Sequence, residues 1–359
     1  MKTPMTTAGK TGWQTVRGRG VSFRLDRRVF PVALVLIAFT AAVLVASITY
    51  GQYAMTPLDV MATLFGLNAD HPDYRNFALV VHTFRLPRIL VAFAVGMALA
   101  VAGTLMQGVT RNPLADPYLL GVSGGAGLVA VALIVWFEDA PLALLPLGTF
   151  AGGFAVALAN YLFAWRRGGS TPIRLVLIGI GLSALVGALI TAMLLFGRVT
   201  DVQQAYVWLT GSVYARTWEH VRTLGVALVV LLPLTFMLAG RLNVLNLGDD
   251  TARSVGMRVE RGRAFLLLLS VALTAVSVAV AGTVGFVGLI APHIARRLVG
   301  PSHEGLLPVS ALVGGALVVS ADLLGRAVVA PSELPVGLVT AMLGAPYFAY
   351  LLIRSRTRA

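Results

Sequence analysis

Several stretches of this chain carry residue types that could do chemistry. The first to test is "AGKT" (8–11), which ends like the phosphate cradle G-x-x-x-x-G-K-[ST]. The first glycine of that motif would fall at Pro4, no strand precedes it, and no apolar helix follows directly. A P-loop works only as a strand–turn–helix, so ATP is not expected to bind there. The chain has no Cys, and His71, His82, His220, His293 and His303 make no metal-ligand spacing. No H-E-x-x-H stretch or buried carboxylate pair is present. No catalytic residue, resident metal or bound cofactor is therefore expected.

What remains is polar chemistry in unusual places. Arg85 and Arg88 lie three apart at the head of an apolar run, with Pro87 set to start the helix. They suit either interfacial anchoring or recognition of an acidic partner. At the other end of that run, "RNPLADPYLLGVSGGAG" (111–127) breaks the helical pattern with Pro and Gly. Such a break cannot face lipid, so Asn112, Pro113, Asp116, Ser123 and Gly124 must face protein or a wet pathway. A third polar island, "LNLGDDTARSVGMRVERGR" (245–263), separates two apolar runs. Asp249 or Asp250 can cap a short helix through 251–255, and Gly256 can supply its left-handed stop. Ala252 and Val255 are expected on one face, with Leu247 and Met257 nearby. A single turn is not stable alone, so this face calls for a partner surface.

These groups are positioned by an overwhelmingly apolar chain of 359 residues. It is 57% hydrophobic and 12% charged, with a mean hydropathy of +0.84. A soluble domain is about a quarter charged, and a span needs roughly 20 apolar residues. Apolar runs at 31–50, 89–109, 118–137, 142–165, 173–197, 222–240, 264–282, 284–299, 306–328 and 335–353 predict an all-α polytopic membrane protein of about ten transmembrane helices. Those near 118 and 284 are short or broken. The first run is too long for a signal-peptide core and reads as a retained span, behind a basic, flexible cytoplasmic tail at 1–30. Residues 31–355 form the transmembrane domain, with a cytoplasmic loop at 241–263.

With both termini inside, 21 of 28 Lys and Arg fall on the inner side, against 6 of 15 acidic residues. That bias marks the cytoplasmic face and places the island there. In a membrane chain the net charge of +13 reports this asymmetry, so no nucleic-acid partner is expected. Small residues at four-residue spacing in "GVSGG" (121–125) and "GTFAG" (148–152) predict close helix packing.

In order along the chain stand "RLPR", "NPLADP", "LLGVSGGAG", "GFVGLIAPHIARR", "LLPVSAL", "ADLLGR", "ELPVG" and "LGAPYF". From about residue 85 to 353 the sequence resembles the permease subunits of binding-protein-dependent ABC importers (type II) for ferric siderophores, haem and cobalamin. The resemblance implies a multi-pass protein of the bacterial inner membrane, paired with a second permease copy or a paralogue. It also implies a cytoplasmic ATPase dimer that holds ATP and Mg, and a soluble substrate-binding protein outside. By motif position Arg85, Arg88 and Arg326 are expected to dock that binding protein, although Asp322, one turn before Arg326, offers it an internal partner. The island matches the family's ATPase-coupling loop at Leu247, Gly248, Ala252 and Gly256, with Asp249 and Val255 between them. The family's cytoplasmic gate corresponds to "GGSTPIR" (168–174), hence Gly169, Ser170, Thr171 and Pro172. Pro172 departs from the Ser/Thr pattern of that gate. His293 belongs to a family-wide Pro-His pair and is expected to be structural.

The wording of the last third resembles ferric-siderophore permeases more than haem or cobalamin ones. A secondary transporter driven by an ion gradient is the alternative of another class, and it would place ionisable residues at mid-membrane. The centres of the expected helices are nearly free of charge.

Overall fold

A computed structural model describes residues 13–18, 21–67, 71–137, 141, 143–166 and 169–356. The "AGKT" stretch and Gly168 lie outside the described residues. The tail is not wholly without structure, because β1 (Trp13–Gly18) and β2 (Val21–Asp26) pair as an antiparallel hairpin. Alternation in "WQTVRG" and "VSFRLD" suits paired strands better than a free tail.

Beyond the hairpin the described chain is helical. It runs through α1 (Val29–Thr49), α2 (Pro57–Leu64), α3 (Tyr74–Ala78) and a π-helical stretch, Leu79–Arg85, that leads into α4 (Leu86–Thr110). A 3-10 turn at Pro117–Leu120 precedes α5 (Val122–Val131), which continues as a π-helical turn, Ala132–Trp136. Then come α6 (Leu144–Ala164), α7 (Pro172–Leu195), α8 (Val199–Thr210) and α9 (Trp218–Met237). The polar island holds α10 (Ala239–Asn246) and α11 (Asp249–Ser254). The chain closes with α12 (Val259–Ala281), α13 (Val287–Val299), α14 (His303–Val328) and α15 (Val336–Arg356).

Each of the ten expected apolar runs coincides with a helix, but only 7 are long and apolar enough to cross a membrane unaided. Helices α5 and α13 are shorter and follow the Pro- and Gly-rich breaks, and α15 offers the shorter apolar stretch Val336–Tyr350. Pro87 does not start a helix, because Tyr74–Thr110 is helical throughout. Its ring would clash with the carbonyl four residues back, and the π-helical widening just before it absorbs that clash. The loop at 51–80 holds α2, opened by a reciprocal cap between Thr56 and Asp59.

Helices α4, α12 and α14 form the interior, with 78, 78 and 72% of their apolar cores buried, whereas α1, α7 and α9 bury 11–17% and face outward. Lipid is as apolar as leucine, so close packing rather than a hydrophobic drive must join such helices. Glycines provide it. A Cβ on Gly96 would come within 2.2 Å of the Gly314 carbonyl, and one on Gly103 within 2.0 Å of that of Gly288. The stretches "GVSGG" and "GTFAG" pack on each other, since a Cβ at Gly125 would sit 2.3 Å from the Gly152 carbonyl.

Candidate functional site

Four polar clusters sit on this frame, three at the basic inner end and one at the outer mouth. The island forms the short helix the sequence suggests, with different details. Gly248, at φ 113°, takes the N-cap position, and neither aspartate caps the helix. Asp250 instead pairs with Arg253 at 3.0 Å. Asp249 accepts from Arg111 at 2.9 Å and from Arg263 at 2.7 Å. Burial pushes the Asp249 carboxyl up, but its Arg263 hydrogen bond and the Arg263 and Arg111 charges outweigh this and hold it below the usual carboxylate range. Gly256, at φ 82°, ends the helix as expected, with the Met257 N–H bonded to the Ala252 carbonyl at 3.0 Å.

Ala252 and Val255 do not share a face. Ala252 is fully buried, whereas Val255 is 65% and Leu247 70% exposed. Val255 is the C-cap, one residue past the end of α11, and does not continue the face that buries Ala252. The unpartnered apolar surface of the island is therefore Leu247 with Val255.

The inner loop between α6 and α7 lies beside the island. Ser170 is buried, whereas Thr171 beside it is exposed. The Ser170 N–H donates to Glu260 at 3.1 Å and its carbonyl accepts from Arg263 at 2.6 Å. Pro172 opens α7, for which Thr171 is the N-cap residue. The Thr171 hydroxyl accepts from Arg174 at 3.1 Å, and Arg174 also donates to the Ala164 carbonyl at 3.2 Å. A Cβ at Gly169 would meet the Glu260 carboxyl at 3.2 Å, so the glycine lets the loop close on α12.

The break after α4 turns at Arg111, in the left-handed conformation at φ 54°. Exposed Asn112 bonds the Leu114 N–H at 3.0 Å, and Pro113 beside it is also exposed. Asp116 bonds the Tyr118 N–H at 2.9 Å. Burial pushes Asp116 up to about 6, with that Tyr118 N–H acting the other way. The Tyr118 hydroxyl donates to the Val284 carbonyl at 2.9 Å, tying this break to the one between α12 and α13. Ser123 and Gly124 are half-buried in the first turn of α5, and a Cβ on Gly124 would meet Val186 of α7 at 3.3 Å. His293 stacks edge-on with Tyr347 at 5.9 Å, a packing role.

At the outer mouth the arginines are committed internally. Arg85, 7% exposed, donates to the carbonyls of Ile48, Thr49 and Tyr53 at 2.6, 3.0 and 2.6 Å. It thereby closes the orphan C-terminal carbonyls of α1. Arg326 holds the same helix end through Ser47 and Tyr50, and pairs with Asp322 at 3.2 Å as its spacing suggested. Arg88 forks onto Asp322 at 2.7 Å, reaches Glu333 at 2.7 Å and lies 5.7 Å from the Tyr214 ring centre. Together with Arg216, Tyr50 and Tyr214 these residues line a cavity of about 690 Å³. Arg216 has no carboxylate partner among the described residues and bonds weakly to Ser212 and His220, at 3.4 and 3.5 Å. Burial lowers its pKa. Sequence reasoning passed over Arg216, because nothing local sets it apart from other outer cations.

With this geometry established, the comparisons with known proteins are informative. The model of the FecCD transport family matches residues 37–354. The chain is 46% identical over 337 residues to the siderophore transport system permease protein YfhA of Bacillus subtilis (strain 168), covering 92% of this chain and 96% of that one. It is 45% identical over 327 residues to the achromobactin transport system permease protein CbrC of Dickeya dadantii (strain 3937), covering 90% and 91%. It is 43% identical over 279 residues to the hemin transport system permease protein HmuU of Yersinia pestis, covering 76% and 82%. A solved metal-chelate type ABC transporter in an inward-facing conformation superposes with a TM-score of 0.78 at 30% identity, over 90% of this chain and 99% of that one. The broken helices, the polar island and these matches agree: the chain belongs to the FecCD transport family, as a multi-pass permease subunit of a bacterial ABC importer.

Proposed function

We propose that this permease, paired with a second copy or a paralogue, passes a ferric siderophore inward from a soluble binding protein, driven by an ATPase dimer docked on α11. Relatives named for siderophore and achromobactin transport, each matching at least nine-tenths of the chain, support the iron-chelate reading. A relative named for hemin matches over 76% of it and supports haem as the second reading. The observation that carries the ATPase contact is the exposed pair Leu247 and Val255 flanking a six-residue helix at the basic end. Such a helix buries too little to stand alone, and an apolar pair in a charged segment fits a cleft on a partner. Gly248 and Gly256 set its two ends, and buried Ala252 anchors it from behind.

For the outer face, Arg85, Arg88 and Arg326 shape the cavity, and Arg216 offers the cation that an acidic residue of the binding protein would meet. On the inner face, Gly169, Ser170, Thr171 and Pro172 form the loop that closes the pathway, with Thr171 as its exposed edge. Asn112, Pro113, Asp116, Ser123 and Gly124 form the bent wall opposite. Asp322, the buried acid of α14, is ion-paired, which leaves it unsuited to carry a proton across the membrane.

The test is uptake of radio-labelled iron in cells that lack the permease and are complemented by it. Ferric siderophore uptake should return with the wild-type chain and fail with Leu247→Asp/Val255→Asp. Restoration of hemin uptake alone would overturn the substrate assignment, and full activity of the double variant would overturn the docking face.

A further inference from the structure

Arg263 is the most deeply enclosed cation at the inner end. It sits in the first turns of α12 and is 1% exposed. A buried charge is tolerated only where partners replace the lost water. One terminal nitrogen donates to Asp249 of α11 at 2.7 Å. The other donates to the Ser170 carbonyl at 2.6 Å and to Glu260 at 2.7 Å. The second oxygen of Glu260 accepts the Ser170 N–H at 3.1 Å. Both backbone groups of Ser170 are therefore gripped by one Arg–Glu pair on α12, and the same arginine grips the island.

The connection is narrow. Among the described residues, side-chain hydrogen bonds from α11 to other segments are made by Asp249 alone, to Arg263 and to Arg111. The side-chain bonds of Asp250 and Ser254 stay within α11. Arg111 begins the break after α4, so α11, the inner loop and the bent wall share one ion-pair network. Charge-assisted bonds are short and directional, and a dry site strengthens them. A shift of α11 must either drag the Arg263 guanidinium and Ser170 with it or break the Asp249 bond and leave a 1% exposed guanidinium short of a partner.

We infer that Arg263 is the positioning residue that transmits displacement of α11 to the inner loop at Ser170, so that ATPase movement opens or closes the pathway. This rests on the reading of α11 as the ATPase contact. It assigns a role to a residue that lies in neither the coupling motif nor the gate motif.

The experiment uses the importer assembled in proteoliposomes with its ATPase and binding protein, measuring iron uptake and ATP hydrolysis together. Arg263→Met should still copurify with the ATPase, while uptake per ATP hydrolysed falls about tenfold, the scale of a typical coupling energy. Arg263→Lys keeps the charge but cannot fork to all three acceptors, and should recover part of the ratio. Should Arg263→Met fail to fold, Asp249→Asn at a partly exposed site removes the charge from the same link, leaves only a weaker neutral bond, and should also lower the ratio. The double variant should be no worse than the more severe single one, because both act through one bond. A wild-type ratio in Asp249→Asn, or losses that multiply in the double variant, would overturn the inference. If Val255→Asp leaves ATPase copurification intact, the docking reading itself fails. If Val255→Asp abolishes it while Arg263→Met couples normally, only the transmission role fails.

Discussion

Asp116 shows how one side chain can report on its surroundings. Its usual pKa of 3.8 is raised to about 6 in the folded protein, so the folded state holds the proton more tightly than the unfolded chain. The stability it contributes is fully present below about 3.8 and is lost as pH rises through about 6. Asp116→Asn keeps an acceptor for the Tyr118 N–H and removes the charge. The variant should therefore melt above the wild type at pH 8 in detergent, and the gap should close as the pH is lowered from 6 to 4, which thermal unfolding curves would show. At the outer mouth two kinds of arginine are distinguished. Arg85→Met strips three carbonyls of their donor and should cost about 1.5–3 kcal/mol per charged bond lost at most, read as a lower melting temperature. Arg216→Glu should leave the melting temperature near wild type and weaken binding-protein affinity about tenfold or more, read by titration in nanodiscs. The arginines were legible in the sequence, but their partners were not. Arg88 meets Asp322 across 234 positions, a pairing that no local spacing encodes.

Elements were legible where apolar length decides them and less so where backbone geometry does. The ten runs became helices, and the Gly/Pro breaks fell near 118 and 284, because composition alone dictates both. The π-helical entry into α4 escaped notice, since Pro87 signals a helix start unless a widened turn accommodates it. The island holds the short helix its sequence suggests, but Ala252 is buried and Val255 exposed. Spacing alone put Ala252 and Val255 together, and only the packed body separates them. Two measurements follow at this scale. Leu247→Asp/Val255→Asp should abolish copurification of the ATPase while the permease remains monodisperse, as expected for a small apolar hot spot. Gly125→Val would force a side chain into the α5–α6 crossing, costing about 1–3 kcal/mol, and should appear as a lower melting temperature.

At the scale of the whole molecule, a buried core of α4, α12 and α14 carries two polar ends. The outer end is a cavity bordered by arginines, and the inner end is an ion-pair network beneath a short exposed helix. A permease subunit of an ABC importer takes its energy from a separate ATPase, and α11 is the surface we propose receives it. The most direct test reconstitutes the permease with its ATPase and binding protein in proteoliposomes loaded with an ATP-regenerating system. Ferric siderophore uptake should require ATP and the ATPase, and should persist when a protonophore collapses the ion gradient. Uptake that proceeds without ATP and disappears with the protonophore would contradict the account.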